Sequence, residues 1–314
     1  MITFGSDPEF VLMKKGLPVS AIGIVPGDKN NRHKIGKHEY YYDNVLAECA
    51  VHYGKSKEEV VGNIRDCFSK FVNLVKPHQL AVMAAINFPI SELRHPEALK
   101  IGCDPEWCCY ALTDIVPDEE WFAKNNLRTA GGHIHIGSKF LQDDYNRYQM
   151  VRMLDLFLGI PSIYIDHDPT AGIRKKLYGK AGRFRKPDHG VEYRSLSNFW
   201  LISPKLVELI YDICEFVCEF VQSEKDKQYW RIDKEIIEND ESWNDLDFDP
   251  ANCHHCTGYN LKELRKAIDT MDRQLGRKFM DLAKEQMPQN LFKNITEATD
   301  RKQYNFLKEW GIGC

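Results

Sequence analysis

Gly190-Val191-Glu192-Tyr193-Arg194-Ser195-Leu196-Ser197-Asn198-Phe199-Trp200 is the stretch that decides how this chain folds. Its charged residues alternate, and in a strand residues two apart share a face. Glu192 and Arg194 therefore project together, with Tyr193 and Ser195 on the opposite side. Leu196, Phe199 and Trp200 make 190–200 a mostly buried strand. A carboxylate on such a face can hold a hard cation, and a guanidinium two residues on can meet a phosphoryl oxygen. Glu-x-Arg on its own is more often a solvated ion pair. The apolar flanks raise the weight of the functional reading.

Outward from this strand, residues 174–186, RKKLYGKAGRFRK, carry many cations and no acid. A solvated basic loop is the bland reading of the charge alone. Glycines among Arg174, Lys180, Arg183 and Arg185 also suit a flexible loop that neutralises phosphates. No Walker A spacing is present. Further upstream stands Gly131-Gly132-His133-Ile134-His135-Ile136-Gly137. Here His133 and His135 share one strand face while Ile134 and Ile136 turn to the core. The paired glycines let a ligand approach the backbone, and two neutral imidazoles suit a metal or an anion.

The acids form a third set. Asp7 and Glu9 share a face, as do Asp104 and Glu106, and Glu48 lies in an apolar run after Asp43. Hard cations need several oxygens, so acids from separate strands meeting at one mouth suit Mg²⁺. Asp-Pro as a plain turn marker is the competing account of Asp7 and Asp104. It is weaker for Glu9, Glu48 and Glu106. Gly5-Ser6-Asp7-Pro8-Glu9-Phe10 is echoed by Gly102-Cys103-Asp104-Pro105-Glu106-Trp107, which suggests two similar strand openings.

The rest of the chain frames these motifs. Residues 2–13 read as a strand with a hairpin partner at 17–24, and 40–51 as a second strand region. Ser56 with Glu59 forms a capping box ahead of a helix bearing Val60, Ile64, Phe68, Phe71 and Leu74. Residues 80–88, 101–112 and 129–138 are extended. A helix spans 143–158, and helices dominate from 204 onward, over 204–222, 226–238 and 260–286. This mixture, without a βαβ rhythm, predicts an α+β fold with a curved, mostly antiparallel sheet flanked by helices. The reading places a catalytic core at 1–203 and a mainly helical part at 204–314, packed on the same domain.

A net charge of −4 argues against a general nucleic-acid binder. No apolar run is long enough to span a bilayer. The opening MITFGSDPEF lacks a basic stretch followed by an apolar one, so no secretory leader is expected. The ten cysteines then read as reduced thiols of a cytoplasmic protein. Cys253-His254-His255-Cys256 has no second paired cluster to complete a zinc site.

The order of these strands resembles the glutamine-synthetase/γ-glutamate–cysteine-ligase superfamily, and within it the phage-type carboxylate–amine ligases (amidoligase type 2). The resemblance runs from about residue 3 to residue 200. It implies ATP entering one mouth of the sheet and the other substrates the opposite one. ATP then phosphorylates a carboxylate, and an amine displaces the phosphate. By the same resemblance Glu9, Glu48, Glu192 and, less securely, Asp7 are Mg²⁺ ligands. Arg194 stands beside the γ-phosphate, with His133 or His135 near metal or phosphate. Arg174, Lys180, Arg183 and Arg185 fall among the phosphate-binding cations. Glu106 or Asp43 is the candidate base. Two or three Mg²⁺ ions are implied, with Mn²⁺ able to substitute. The implied partners are a small-molecule or peptide carboxylate and an amine, not nucleic acid or membrane. The implied location is the cytoplasm, the host's if the chain is phage-encoded. Oligomeric state is open. Substrate choice is assigned to loops 26–38, 114–128 and 239–256.

Three competitors remain. A zinc amidohydrolase would use His133-x-His135 as ligands, but that motif belongs on the first strand of a barrel, and the barrel's βα rhythm is missing. A phosphotransferase on the same sheet would stop before the amine step. A non-enzymatic binding protein would fail to bind Mg-ATP.

Overall fold

Among the described residues, eleven strands form one sheet, and every paired strand in it runs antiparallel to its neighbour. The structure is a computed structural model and describes residues 2–100, 105–115, 124–223, 261–300 and 305–313. The strands are β1 (Thr3–Lys14), β2 (Leu17–Val19), β3 (His33–Ile35), β4 (His38–Asp43), β5 (Leu46–Gly54), β6 (Gln79–Ala81), β8 (Glu106–Cys108), β9 (Thr113–Ile115), β11 (Gly132–Gly137), β12 (Arg183–Arg185) and β13 (Gly190–Tyr193). Their main order is β3-β4-β5-β1-β11-β13-β12-β8-β9, with β2 and β6 also paired to β1. A separate ribbon joins β7 (Ala85–Asn87) to β10 (Leu127–Thr129).

β1 lies near the middle of this order, between β5 and β11. Alternation along it separates two environments. Phe4, Phe10 and Leu12 point into the main core, while Gly5, Asp7 and Glu9 point to the other face. Register carries the separation across the sheet. Asp7 sits opposite His133, Glu9 opposite Glu48, His135 opposite Glu192, and Glu192 opposite Arg185. One face thus gathers most of the charged residues, and the other is packed.

Helices cover the packed face. α1 (Lys57–Leu74) starts at Ser56, whose side chain accepts from the Glu59 N–H. Glu59 accepts from the N–H of Lys55, one residue outside the expected box. Phe10 meets Phe68 edge-on at 5.2 Å, and Phe68 meets Trp310 at 5.3 Å. α2 (Asp144–Leu154) runs through a π turn at Asp155–Gly159 into α3 (Ile160–Ile165). The helix read at 143–158 is therefore longer and bulged. α4 (Ala171–Leu177) follows, then α5 (Pro204–Gln222), α6 (Leu261–Thr270), α7 (Arg273–Gln286), α8 (Gln289–Thr299) and α9 (Phe306–Trp310). Leu206, Phe279, Phe306 and Trp310 share one core with Phe10, Ile134 and Tyr193.

Several local expectations are corrected. The strand at 190–200 ends at Tyr193, and Asn198–Ile202 form a 3₁₀ turn capped by Ser197. Asp7-Pro8 lies inside a long strand rather than at a turn. The partner read at 17–24 is only Leu17–Val19. The region 40–51 is a hairpin, turning at Asn44 in the left-handed conformation, φ 56°. Residues 260–286 form two helices, broken at Met271, also left-handed. Residues 226–238, Asp104, the Cys253–Cys256 motif and all of loop 239–256 lie outside the described residues, as does part of loop 114–128.

The largest correction concerns 174–186. This segment is a helix end, a tight turn and a strand rather than a flexible loop. Arg174 and Lys175 are buried. Lys175 donates to the carbonyls of Gly179 and Ser195, and Arg174 to those of Ser195 and Arg194. Gly179 is left-handed, and a Cβ there would collide with Arg174 Nη1 at 1.7 Å. Among the described residues no helix is long and apolar enough to cross a membrane.

Candidate active site

The charged face has two acid-rich clusters and an arginine between them and β8. In the first, Asp7, His135 and Glu192 bring ligand atoms within 4.8 Å of one another, and in the second Glu9, Asp43 and Glu48 do the same. His133 and His135 each place a ring nitrogen 3.2 Å from Asp7 Oδ1. His133 Nδ1 also lies 3.6 Å from Glu192 Oε1.

Arg194 ties the face together. Its Nε donates to Glu106 Oε2 at 3.1 Å, and its Nη1 meets both Glu192 and, at 3.1 Å, His133 Nδ1. Arg183 and Arg185 add support, 3.7 Å from Glu106 and 3.6 Å from Glu192. Behind the second cluster, the Gly131 N–H donates to Glu9 Oε2 at 2.5 Å, and Tyr41 donates its hydroxyl proton to Glu48 at 2.8 Å. A Cβ on Gly131 would lie 2.6 Å from His133 Nε2. That is why a glycine precedes these histidines.

Burial makes the acids respond to their neighbours. Asp7 is partly buried, and that desolvation by itself raises a carboxyl pKa, yet His135 and His133 hold it well below the usual range. Glu192 is lowered too: burial raises it most, but Arg194, His135 and His133 together outweigh that. In the second cluster the balance reverses. Burial, then Asp43, Asp7 and Glu9, push Glu48 well above its ordinary value. Burial also raises Glu9, although His133 opposes it.

The donor set fits metal ions. Asp7 Oδ1, His135 Nε2 and Glu48 Oε2 are buried and make no hydrogen bond within the protein. The two contacts at Asp7 have ion-pair distances without hydrogen-bond geometry. Buried polar atoms are normally satisfied, so orphaned lone pairs in both clusters mark positions where a cation would supply the missing partner. The all-carboxylate cluster suits a hard ion such as Mg²⁺, and the cluster with His135 offers mixed oxygen and nitrogen donors.

The expected residues converge unevenly. Asp7, Glu9, Glu48, His133, His135, Glu192, Arg194, Glu106, Arg183 and Arg185 all meet on this face. Glu106 is engaged by two arginines, which leaves Asp43, 2.8 Å from Lys29, as the less occupied base candidate. Arg174 reaches the face from behind, and its Nε has no partner in the protein. Lys180 contributes its carbonyl, which accepts from Ser195. Sequence reasoning missed Tyr41, His189 and Asn198. Asn198 Nδ2 donates to the Glu9 carbonyl at 2.8 Å, and His189 Nε2 lies 3.3 Å from His135 Nδ1. Asn198 lay within the stretch read as a strand, but its reach across to β1 depends on the 3₁₀ turn.

The fold and this face define an α+β protein that gathers acids, histidines and arginines on one side of an antiparallel sheet. Residues 123–239 match the family described as phage phiEco32-like COOH.NH2 ligase-type 2, which bears out the resemblance read from the motifs. The matched stretch holds the His133–His135 strand, the basic segment and Glu192–Arg194. The family's name is that of a carboxylate–amine ligase. No curated protein matches the chain.

Proposed function

We propose that this protein is an ATP- and Mg²⁺-dependent carboxylate–amine ligase working through an acyl phosphate. The observation that carries the reading is Arg194, buried and shared by Glu192, Glu106 and His133 beside two clusters of orphaned metal-ligand atoms. Asp7, His135 and Glu192 would hold one Mg²⁺, and Glu9 and Glu48 a second, with Asp43 beside them. Bound Mg²⁺ would screen the repulsion between a carboxylate and a phosphate.

A substrate carboxylate oxygen attacks the γ-phosphorus, and the bond to ADP breaks. Arg194 lies where it can stabilise the charge of that transfer. Its fixed position, locked by three neighbours, needs no reorganisation as the charge develops. The amine then attacks the acyl carbon, phosphate leaves with the bonding electrons, and the amine's proton passes to a site carboxylate. Asp43 suits this last role, since it stands in the acid cluster and bears one lysine partner.

The test is ADP release with Mg²⁺ over pooled carboxylates and amines, for the wild type and Arg194→Ala. Substrate-dependent release by the wild type alone supports the reading. Equal release by both removes Arg194 from the mechanism. Turnover without ATP, with zinc tightly bound, would favour the amidohydrolase instead.

A further inference from the structure

On the packed side of the sheet, behind the charged face, Asp155 is fully buried at the start of the π turn that follows α2. Each of its oxygens serves a different strand end. Oδ1 accepts from the Tyr193 hydroxyl at 2.7 Å, and Oδ2 from the Tyr110 hydroxyl at 2.9 Å. Tyr193 is the last residue of β13, and Tyr110 follows just after β8. Ser195 Oγ stands 3.5 Å from Oδ1. Arg152, on α2, donates from Nε and Nη2 to the Cys109 carbonyl at 3.2 and 2.9 Å. Gly159 keeps the approach clear, since a Cβ there would lie 3.0 Å from the Tyr193 hydroxyl.

These two strand ends carry the contact between Arg194 and Glu106 on the opposite face. Arg194 stands between Tyr193 and Ser195, both of which turn to Asp155. It lies past the last ladder residue of β13, so the regular pairing of that strand stops short of it. Glu106 opens β8, whose far end is tied back through Tyr110 and Cys109. A carboxyl group loses its hydration on burial, and an apolar side chain would fill the same space at less cost. An apolar side chain could not bridge two hydroxyls and so fix the spacing of two strand ends. The π turn, a device that recurs at functional sites, is the element that presents this carboxyl.

We infer that Asp155 is a positioning residue: by holding Tyr193 and Tyr110 from behind the sheet, it sets where Arg194 and Glu106 meet in front of it. It acts through β13 and β8 and not on a substrate. Its effect on turnover rests on the ligase reading above, whereas the placement of Arg194 is readable without turnover.

The test compares Tyr193→Phe and Tyr110→Phe, each lacking one hydroxyl, and Asp155→Asn, with Tyr40→Phe as control. The Tyr40 hydroxyl is also buried and donates to the Cys67 carbonyl on α1. Hydrogen exchange of the Arg194 Nε–H, assigned in the NMR spectrum by its loss in Arg194→Lys, reports the hold of Glu106 on the guanidinium. The expected result is exchange about tenfold faster or more in the three variants and unchanged in the control, under conditions where each melting curve shows a folded protein. For ADP release, kcat is expected to fall about tenfold with KM for ATP within ~twofold, the pattern of an interaction made in the transition state. Wild-type exchange rates in the three variants would overturn the proposal and leave the ligase reading intact. Faster exchange with wild-type kcat would overturn it as well, because the placement would then not matter to turnover. If the wild type releases no ADP with any substrate, the ligase reading fails and the exchange rates alone decide the placement.

Discussion

Arg194, just past the end of β13, and Glu106, on β8, stand 88 residues apart, yet Nε and Oε2 meet at 3.1 Å with both side chains buried. Such a contact fixes the guanidinium plane from one side while Glu192 fixes it from another. Lysine could supply the charge but not the fork. Arg194→Lys is therefore expected to lower substrate-dependent ADP release by about 10²-fold or more. Arg194→Ala leaves Glu106 and Glu192 with only the longer contacts to Arg183 and Arg185, an effect of up to about 3–5 kcal/mol on stability, readable by denaturant unfolding.

The clusters should also respond to ions directly. Mg²⁺ or Mn²⁺ at about a hundredfold over its dissociation constant is expected to stabilise the fold by ~2.7 kcal/mol. Glu48→Gln should weaken that response and Ser69→Ala should not, since Ser69 lies on α1 away from the charged face. Thermal melting with and without the ion checks both. An equal gain in Glu48→Gln would exclude the second cluster as an ion site.

Asp155 supplies a pH signature away from the metal ligands. It accepts from the hydroxyls of Tyr193 and Tyr110 at 2.7 and 2.9 Å, and burial raises its pKa to about 7. The unfolded value is near 3.8. A carboxyl raised on folding adds stability that is whole below about 3.8 and declines as pH rises through about 7. Asp155→Asn should flatten this decline, with an upper limit on the order of 4 kcal/mol. Unfolding free energies at pH 5 and pH 8 give the comparison. Identical slopes in the two proteins would contradict the raised value.

Gly131→Ala tests the close approach at the histidine strand. The new methyl would lie 2.6 Å from His133 Nε2 and 3.0 Å from Arg174 Nη2. Moving either costs about 1–3 kcal/mol, and His133 is the one that touches Arg194. Activity is expected to fall much further than stability, measured by ADP release beside a melting curve. Gly62→Ala, on an open stretch of α1, is the control.

Trp310 reports on how the C-terminal helices join the sheet. Its Nε1 donates to the Leu201 carbonyl at 2.8 Å and its ring packs on Phe68. Trp310→Ala is expected to cost about 3–5 kcal/mol in a single unfolding transition. Two separated transitions would instead mean that 1–203 and the helical part unfold independently.

How far the sequence spoke depended on periodicity. Asp7, Glu9, His133, His135, Glu192 and Arg194 were legible because strands alternate, so same-face residues follow from parity alone. Which strand neighbours which was not legible from parity. Both that spatial order and the register that sets Asp7 opposite His133 came only from the fold. The basic segment misled for a physical reason. Charge density predicts exposure, yet Arg174 and Lys175 satisfy their donors on carbonyls that turn back onto them. Loop 26–38 was read as a substrate selector, but its individual cations were not singled out, for the converse reason. Arg32, Lys34 and Lys37 stand in a polar stretch like any surface loop, and only the folding of β3 onto β4 brings them to the cavity beside Asp7, His135 and Glu192.

Asp7 and Glu9 stand two residues apart on β1, one in each cluster. A strand rises about 3.3 Å per residue, so the backbone itself acts as the ruler between the clusters. Loops of the site can lengthen without disturbing that interval. A single residue inserted or deleted between Phe4 and Asp7 cannot be absorbed in this way, because it would turn Pro8 onto the charged face and both acids toward the packed face. The two clusters are thus one inheritance, kept or lost together, and tolerance to insertion should drop sharply where the chain enters β1.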